Sequence, residues 1–165
     1  MTTVPAEPCL LIIWHSRTGA SEAMAKAAAD GAGEAALLVQ AADATPTLLL
    51  AAHGYIFCCP ENLGSMSGLM KEMFDRAYYP VLGQIEGRPY ATLIAAGSDG
   101  EGATRQIDRI ATGWRLRRVA APCIVNLAAQ TPEAITAPKD VPAKALNQSR
   151  EIGAALAEGL RLGVF

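Results

Sequence analysis

Apolar positions along this 165-residue chain fall into two alternating registers. Short, nearly unbroken apolar runs at Cys9 to Trp14, Ala35 to Gln40, Gly54 to Cys59, Tyr90 to Ala96 and Ala121 to Leu127 have the length of strands buried on both faces. Between them, apolar residues recur at spacings of three and four, the signature of a helix packed on one side. Ser21 to Ala32 reads as an alanine-rich helix that stops near Gly31 and Gly33. Thr47 to Ala52, opened by Thr45-Pro46, reads as a short helix. Met66, Leu69, Met70, Met73 and Ala77 share the face of another, and Ile107, Ile110 and Ala111 lie on one that ends at Gly113. A proline-containing stretch reaches Pro142, and a final helix carries Leu146, Ile152, Leu156 and Leu160.

Strands that alternate with helices need crossover connections, so this order predicts a parallel sheet of five strands covered on both faces. The expected architecture is a three-layer α/β sandwich forming one domain over residues 1–165. Hydrophobic residues make up 51% of the chain and charged residues 18%, enough apolar surface for a large core. A net charge of -2 offers no electrostatic case for nucleic acid or an anionic membrane as partner. The run from Cys9 to Trp14 is too short to span a bilayer and no Lys or Arg precedes it, so neither a signal peptide nor a membrane helix is expected and the predicted compartment is cytoplasmic.

Candidate chemistry sits where strands hand over to helices. In a sheet of order 2-1-3-4-5, strand order reverses between strands 1 and 3, and open α/β sheets bind ligands at that point, beyond the carboxyl ends of the strands. The loops that meet there are SRTGAS, PENLGSMSG and GSDGEG, rich in glycine and hydroxyl groups. A helix's first turn carries unpaired N–H groups and the positive end of its dipole, and Ser16, Thr18 and Ser21 add hydroxyls around that turn. This combination predicts an anion site, a phosphate above all, with Gly19 permitting a positive φ or close approach of the backbone. Capping of the helix by Ser21 alone is the simpler alternative. The loop has neither G-x-G-x-x-G nor a Lys-Ser/Thr pair after a glycine, which argues against a dinucleotide fold of Rossmann type and against a nucleotide triphosphatase.

SRTGAS resembles the phosphate loop of the flavodoxin-like family, and GYIFCCPENLGSMSGLMKEMFDR is similar to the third strand, flavin-ring loop and following helix of flavodoxin-like NAD(P)H:quinone and FMN reductases, including the tryptophan-repressor-binding-protein type. The resemblance implies a flavodoxin-like fold that binds FMN. Ser16, Arg17, Thr18, Gly19, Ala20 and Ser21 would hold its phosphate through backbone N–H and hydroxyl groups. Pro60, Glu61, Asn62, Leu63, Gly64, Ser65 and Met66 would run along the isoalloxazine, and Gly97, Ser98, Asp99 and Gly100 would close the other side. It also implies NAD(P)H as co-substrate, a quinone or free flavin as small-molecule electron acceptor, and self-association. No side chain need act as a catalytic acid or base, because the flavin supplies the chemistry.

Two departures from the pattern bear on function. The ring loops contain no aromatic residue, whereas one-electron flavodoxins commonly sandwich the ring with Trp or Tyr. Leu63, Met66 and Asp99 would leave the flavin accessible, which favours a reductase over the alternative, a flavodoxin-type electron carrier. A flavodoxin-fold binding protein without redox activity is the third reading. Cys58-Cys59 stands where small or polar residues are common, so the path of the ring loop is open.

Cys9, Cys58, Cys59 and Cys123 lack metal-ligand spacing and read as reduced packing residues, because neighbouring strand side chains point to opposite faces. Arg105, Arg109, Arg115, Arg117 and Arg118 read as a solvated face paired with Asp108 and Glu101, with a nucleotide phosphate as the alternative partner. His15 and His53 lack the companions of a metal site or a Ser-His-Asp arrangement, so both are expected to be structural, and Trp114 is expected to anchor packing. Glu61 faces either the ring or solvent.

Overall fold

The computed structural model describes residues 9–165 and forms the expected three-layer sandwich. β1 (Leu10–Trp14) lies inside the sheet, pairing in parallel with the edge strand β2 (Ala36–Gln40) on one side and with the central β3 (Gly54–Asn62) on the other. β3 pairs in parallel with β5 (Pro89–Ala96), from Tyr55 opposite Tyr90 to Pro60 opposite Ala95. The far edge of β5 takes two short pieces, β6 (Arg117–Arg118) and then β7 (Cys123–Asn126). Together they fill the fifth position of the order 2-1-3-4-5.

The fifth strand is therefore broken, where the hydrophobic pattern suggested one run over 121–127. Pro122 stands in the break, and a residue without an N–H cannot donate to the ladder. The third strand is longer than its apolar run, continuing through Pro60 and Glu61 to Asn62 before folding back as β4 (Ser65–Met66).

On one face lie α1 (Ala20–Ala32) and α6 (Ala143–Leu162), packed over Leu10, Ile12, Ile56, Cys58, Leu93 and Ala95. On the other lie α2 (Pro46–Ala51), α3 (Gly68–Val81) and α4 (Glu101–Gly113), over Leu11, Ile13, Tyr55, Phe57 and Ile94. Leu10 to Ile13 are fully buried, each side chain contributing roughly 1.5–3 kcal/mol of hydrophobic stabilisation. Met70, Met73, Phe74 and Trp114 complete the second core, with Phe74 at 4.9 Å from Phe57 and 5.3 Å from Trp114 between ring centroids. Before α6 the proline-containing stretch holds one short helix, α5 (Pro132–Thr136), whose first turn is capped by the Thr131 hydroxyl accepting from Ala134 N–H. Among the described residues, no helix is long and apolar enough to cross a membrane.

Candidate functional site

The carboxyl ends of β1, β3 and β5 open into a cavity of about 550 Å³, within the range of small-molecule and cofactor sites. Its first wall is the turn after β1. His15 N–H extends the ladder by donating to the Cys58 carbonyl at 3.0 Å, after which the chain leaves the sheet. Gly19 N–H donates to the Ser16 hydroxyl at 3.1 Å, and Gly19 itself, at φ 100 and ψ -15, is the residue that launches α1. Only glycine adopts this left-handed conformation without strain.

No side chain caps α1, so the N–H groups of its first turn keep their demand for an acceptor. Ser21 does not cap the helix either. Its side chain is buried, lines the cavity, and has no hydrogen-bond partner for its hydroxyl. A buried hydroxyl left unpaired costs roughly 1–3 kcal/mol, a cost that Thr92 Oγ1 and Trp114 Nε1 share in the core. Ser16, Arg17, Thr18 and Ala20 complete this wall.

α4 provides an internal control. Gly100 launches it at φ 98 and ψ -16, nearly the geometry of Gly19. Here the first turn is already served: one oxygen of the Glu61 carboxylate accepts from Gly100 N–H and the other from Ala103 N–H, each at 2.9 Å. Glu61 thus takes a third role beyond facing ring or solvent, binding the loop after β3 to the start of α4. Of two similar helix starts above the same sheet edge, one holds an intramolecular carboxylate and the other carries a partnerless buried hydroxyl.

The second wall is the hairpin of β3 and β4, with Glu61 opposite Met66 and Asn62 opposite Ser65. Its turn is Leu63-Gly64, both left-handed at φ 53 and 74, the pattern of a type I′ hairpin turn. Leu63 breaks two local rules, since a branched residue in this region is strained by about 1–2 kcal/mol and its apolar side chain is fully exposed. Strain and exposure together at a cavity rim are the marks of a binding element. Pro60 to Gly64 line the cavity. Met66 N–H is committed elsewhere, donating to Gln106 Oε1 at 2.8 Å, so Ser65 and Met66 anchor the hairpin rather than line the space.

The third wall comes from Ala95, Ala96, Gly97 and Ser98, with Asn126 Nδ2 donating to the Ser98 carbonyl at 2.8 Å. Asp99 and Gly100, like Gly19, stand outside the lining. Hydrophobic spacing did not reveal a fourth wall, formed by Leu127, Ala129, Ile135 and Lys139 on the segment that carries α5. Among the described residues, no aromatic side chain lines the cavity.

Residues outside the cavity have structural partners. His15 Nδ1 shares a hydrogen bond of 2.8 Å with the buried Ser67 hydroxyl, tying the first turn to the start of α3, and burial, then Arg17, lowers its pKa. Tyr90 hydroxyl and Arg118 both donate to Asp108, and Arg115 pairs with Glu86. Among the described residues, no group of three or more His, Cys, Asp or Glu could hold a metal.

All four cysteines are free and buried. Burial raises the Cys58 thiol well above its ordinary pKa and pushes Cys59 up to about 12, so neither is a thiolate at neutral pH. Iodoacetamide at about pH 8 should therefore leave all four unmodified in the native protein and alkylate them after unfolding. Rapid native labelling of Cys58 or Cys59, read by peptide mass spectrometry, would restore a redox role for the pair.

The sequence model of the NADPH-dependent FMN reductase family matches residues 38–131. A flavodoxin of Aquifex aeolicus (strain VF5) is 32% identical over 97 residues, a match spanning 56% of this chain and 52% of that protein, so the chain aligns with about half the length of this relative. Among solved structures, a WrbA-like flavodoxin from Agrobacterium tumefaciens superposes with a TM-score of 0.76 at 19% identity, covering 94% of this chain and 99% of the other. A protein from P. pentosaceus described as an NADPH-quinone reductase gives a TM-score of 0.63 at 17% identity, covering 88% and 97%. These two likenesses establish a flavodoxin-like fold.

Proposed function

The chain belongs to the NADPH-dependent FMN reductase family, and from that premise we propose that it is an FMN-binding oxidoreductase that passes electrons from NAD(P)H to a small-molecule acceptor such as a quinone or free flavin. The observation that carries this reading is the start of α1, where N–H groups without a side-chain cap border a cavity lined by Ser16, Arg17, Thr18, Ala20 and Ser21. Those donors fit a phosphate monoester, which offers several acceptor oxygens and a charge that the helix dipole favours.

Residues 16–21 would hold the phosphate, and the hairpin at 60–64 with the loop at 97–98 would hold the ring. When bound, FMN supplies two-electron exchange between a nicotinamide and the acceptor. The protein's part is positional. The Glu61 carboxylate and the Gln106 amide fix the hairpin against α4, so the wall that meets the ring is set before a ligand arrives. Aliphatic Leu63 and Ile135, half or more exposed, stand where aromatic cover would otherwise shut the ring away, which supports access by a second planar molecule.

The likeness to a flavodoxin at 32% identity favours the second reading, an electron carrier. Turnover separates the two. The purified protein should take up one FMN per chain, gain melting temperature with excess FMN by linkage, and oxidise NADH or NADPH when a benzoquinone is present. Failure to bind FMN would remove both readings. FMN uptake without nucleotide oxidation would leave the carrier.

A further inference from the structure

We propose that Lys139 is a specificity-determining residue of the anion site, closing over the phosphate from the segment that carries α5; this rests on the FMN reading above. Lys139 lies more than a hundred residues from the first loop in sequence, yet its backbone N–H donates to the Thr18 carbonyl at 2.9 Å, which pins the segment to the turn before α1. Lys139 lines the same cavity as Ser21. The site therefore combines two independent features: a helix start with no side-chain cap beside a buried, partnerless Ser21 hydroxyl, and a lysine whose backbone a separate element anchors at the turn before it.

The present partners of the ammonium are weak ones. Nζ donates to the carbonyls of Ile135 at 2.8 Å and Ala137 at 2.5 Å, neutral acceptors at the end of α5. Among the described residues, neither Lys139 nor Arg17 is in an ion pair. An ammonium has three donors and turns freely on its stem, and a hydrogen bond between two charged groups is roughly twice as strong as a neutral one. A phosphate at the start of α1 would draw Nζ from the carbonyls while the backbone anchor at Thr18 stays in place. The segment then reads the phosphate and, through Ile135, covers the apolar part of the ligand.

The competing explanation is that Lys139 only caps α5, a common role for lysine at a helix end. FMN and riboflavin differ by the phosphate alone, so their affinity ratio separates the two roles. Dissociation constants for both flavins, from flavin fluorescence, should be measured on the wild type, Lys139→Met and Lys139→Arg. Loss of a charged hydrogen bond should cut the FMN-to-riboflavin preference of Lys139→Met by about tenfold, with riboflavin affinity within about twofold of wild type, and Lys139→Arg should keep most of the preference.

An unchanged ratio, or equal weakening of both flavins with a lower melting temperature, would overturn the proposal in favour of simple capping. A parallel thermal-shift series with inorganic phosphate keeps this result apart from the flavin reading. Phosphate stabilisation that depends on Lys139 in a protein that binds no flavin would uphold the anion site and remove FMN, whereas no response to phosphate or flavin would overturn both.

Discussion

Valine in place of Gly19 should weaken FMN binding by a hundredfold or more, about 3 kcal/mol, as expected for losing one or two charged hydrogen bonds. Gly19 sits at φ 100, where a β-branched residue is excluded, so the turn must change conformation to accept it. A Cβ at this position would meet no protein atom within 4 Å, so the effect comes from the backbone and not from a collision. Once the turn moves, the Gly19 N–H loses the Ser16 hydroxyl and the first N–H groups of α1 no longer converge. Riboflavin should lose much less, since it lacks the group these donors serve. Gly33, at the other end of α1, is the control: it too has a positive φ, at φ 65 and ψ -139, with open space around a Cβ, but stands away from the cavity. Gly33→Val should lower the melting temperature and leave FMN affinity near wild type. Equal losses of FMN affinity in the two variants would show that Gly19 matters only for stability.

Much of this geometry was legible in the sequence, for physical reasons that differ from element to element. The positions of the strands along the chain followed from apolar runs too short for helices, and the first loop from hydroxyl residues around a single glycine between a strand and a helix. Both signals are local. The hairpin turn was not legible, because leucine is a poor left-handed residue and Asn62-Leu63-Gly64 separates the Asn-Gly pair that marks type I′ turns. The role of Glu61 depends on a contact with backbone 39 residues away, which no local period encodes. The fourth wall was hidden for a third reason: residues 127–142 bury little, so the hydrophobic pattern there is silent, and α5 has only five residues. Ile135 and Lys139 carry meaning only once Lys139 N–H is seen bound to Thr18. Pro122 was visible, and its missing N–H would have moved the start of the last strand had it been weighed against the apolar run.

Alanine in place of Gly102 should lower affinity for FMN and riboflavin alike, by about tenfold, an effect near 1.4 kcal/mol, while preserving the ratio between them. A Cβ at Gly102 would collide with the Gly64 carbonyl oxygen and lie 3.3 Å from Glu61 Oε2, so the hairpin tip must lift from α4. Lifting it strains the Glu61 bonds to Gly100 and Ala103 N–H and the Gln106 bond to Met66 N–H, the bonds that set the wall beside the ring. Stability should change little, because alanine in a helix gains roughly 0.8–1 kcal/mol over glycine and offsets part of the strain. Gly113, at the far end of the same helix, has open space around a Cβ, so Gly113→Ala should leave both affinities unchanged. Glu61→Ala tests the clamp from the other side: it removes the acceptor for two N–H groups at the start of α4 without adding bulk, and it too should weaken both flavins. If Gly102→Ala and Glu61→Ala bind riboflavin as tightly as the wild type, the hairpin does not hold the ring, and ligand affinity rests on the start of α1 and the segment of α5.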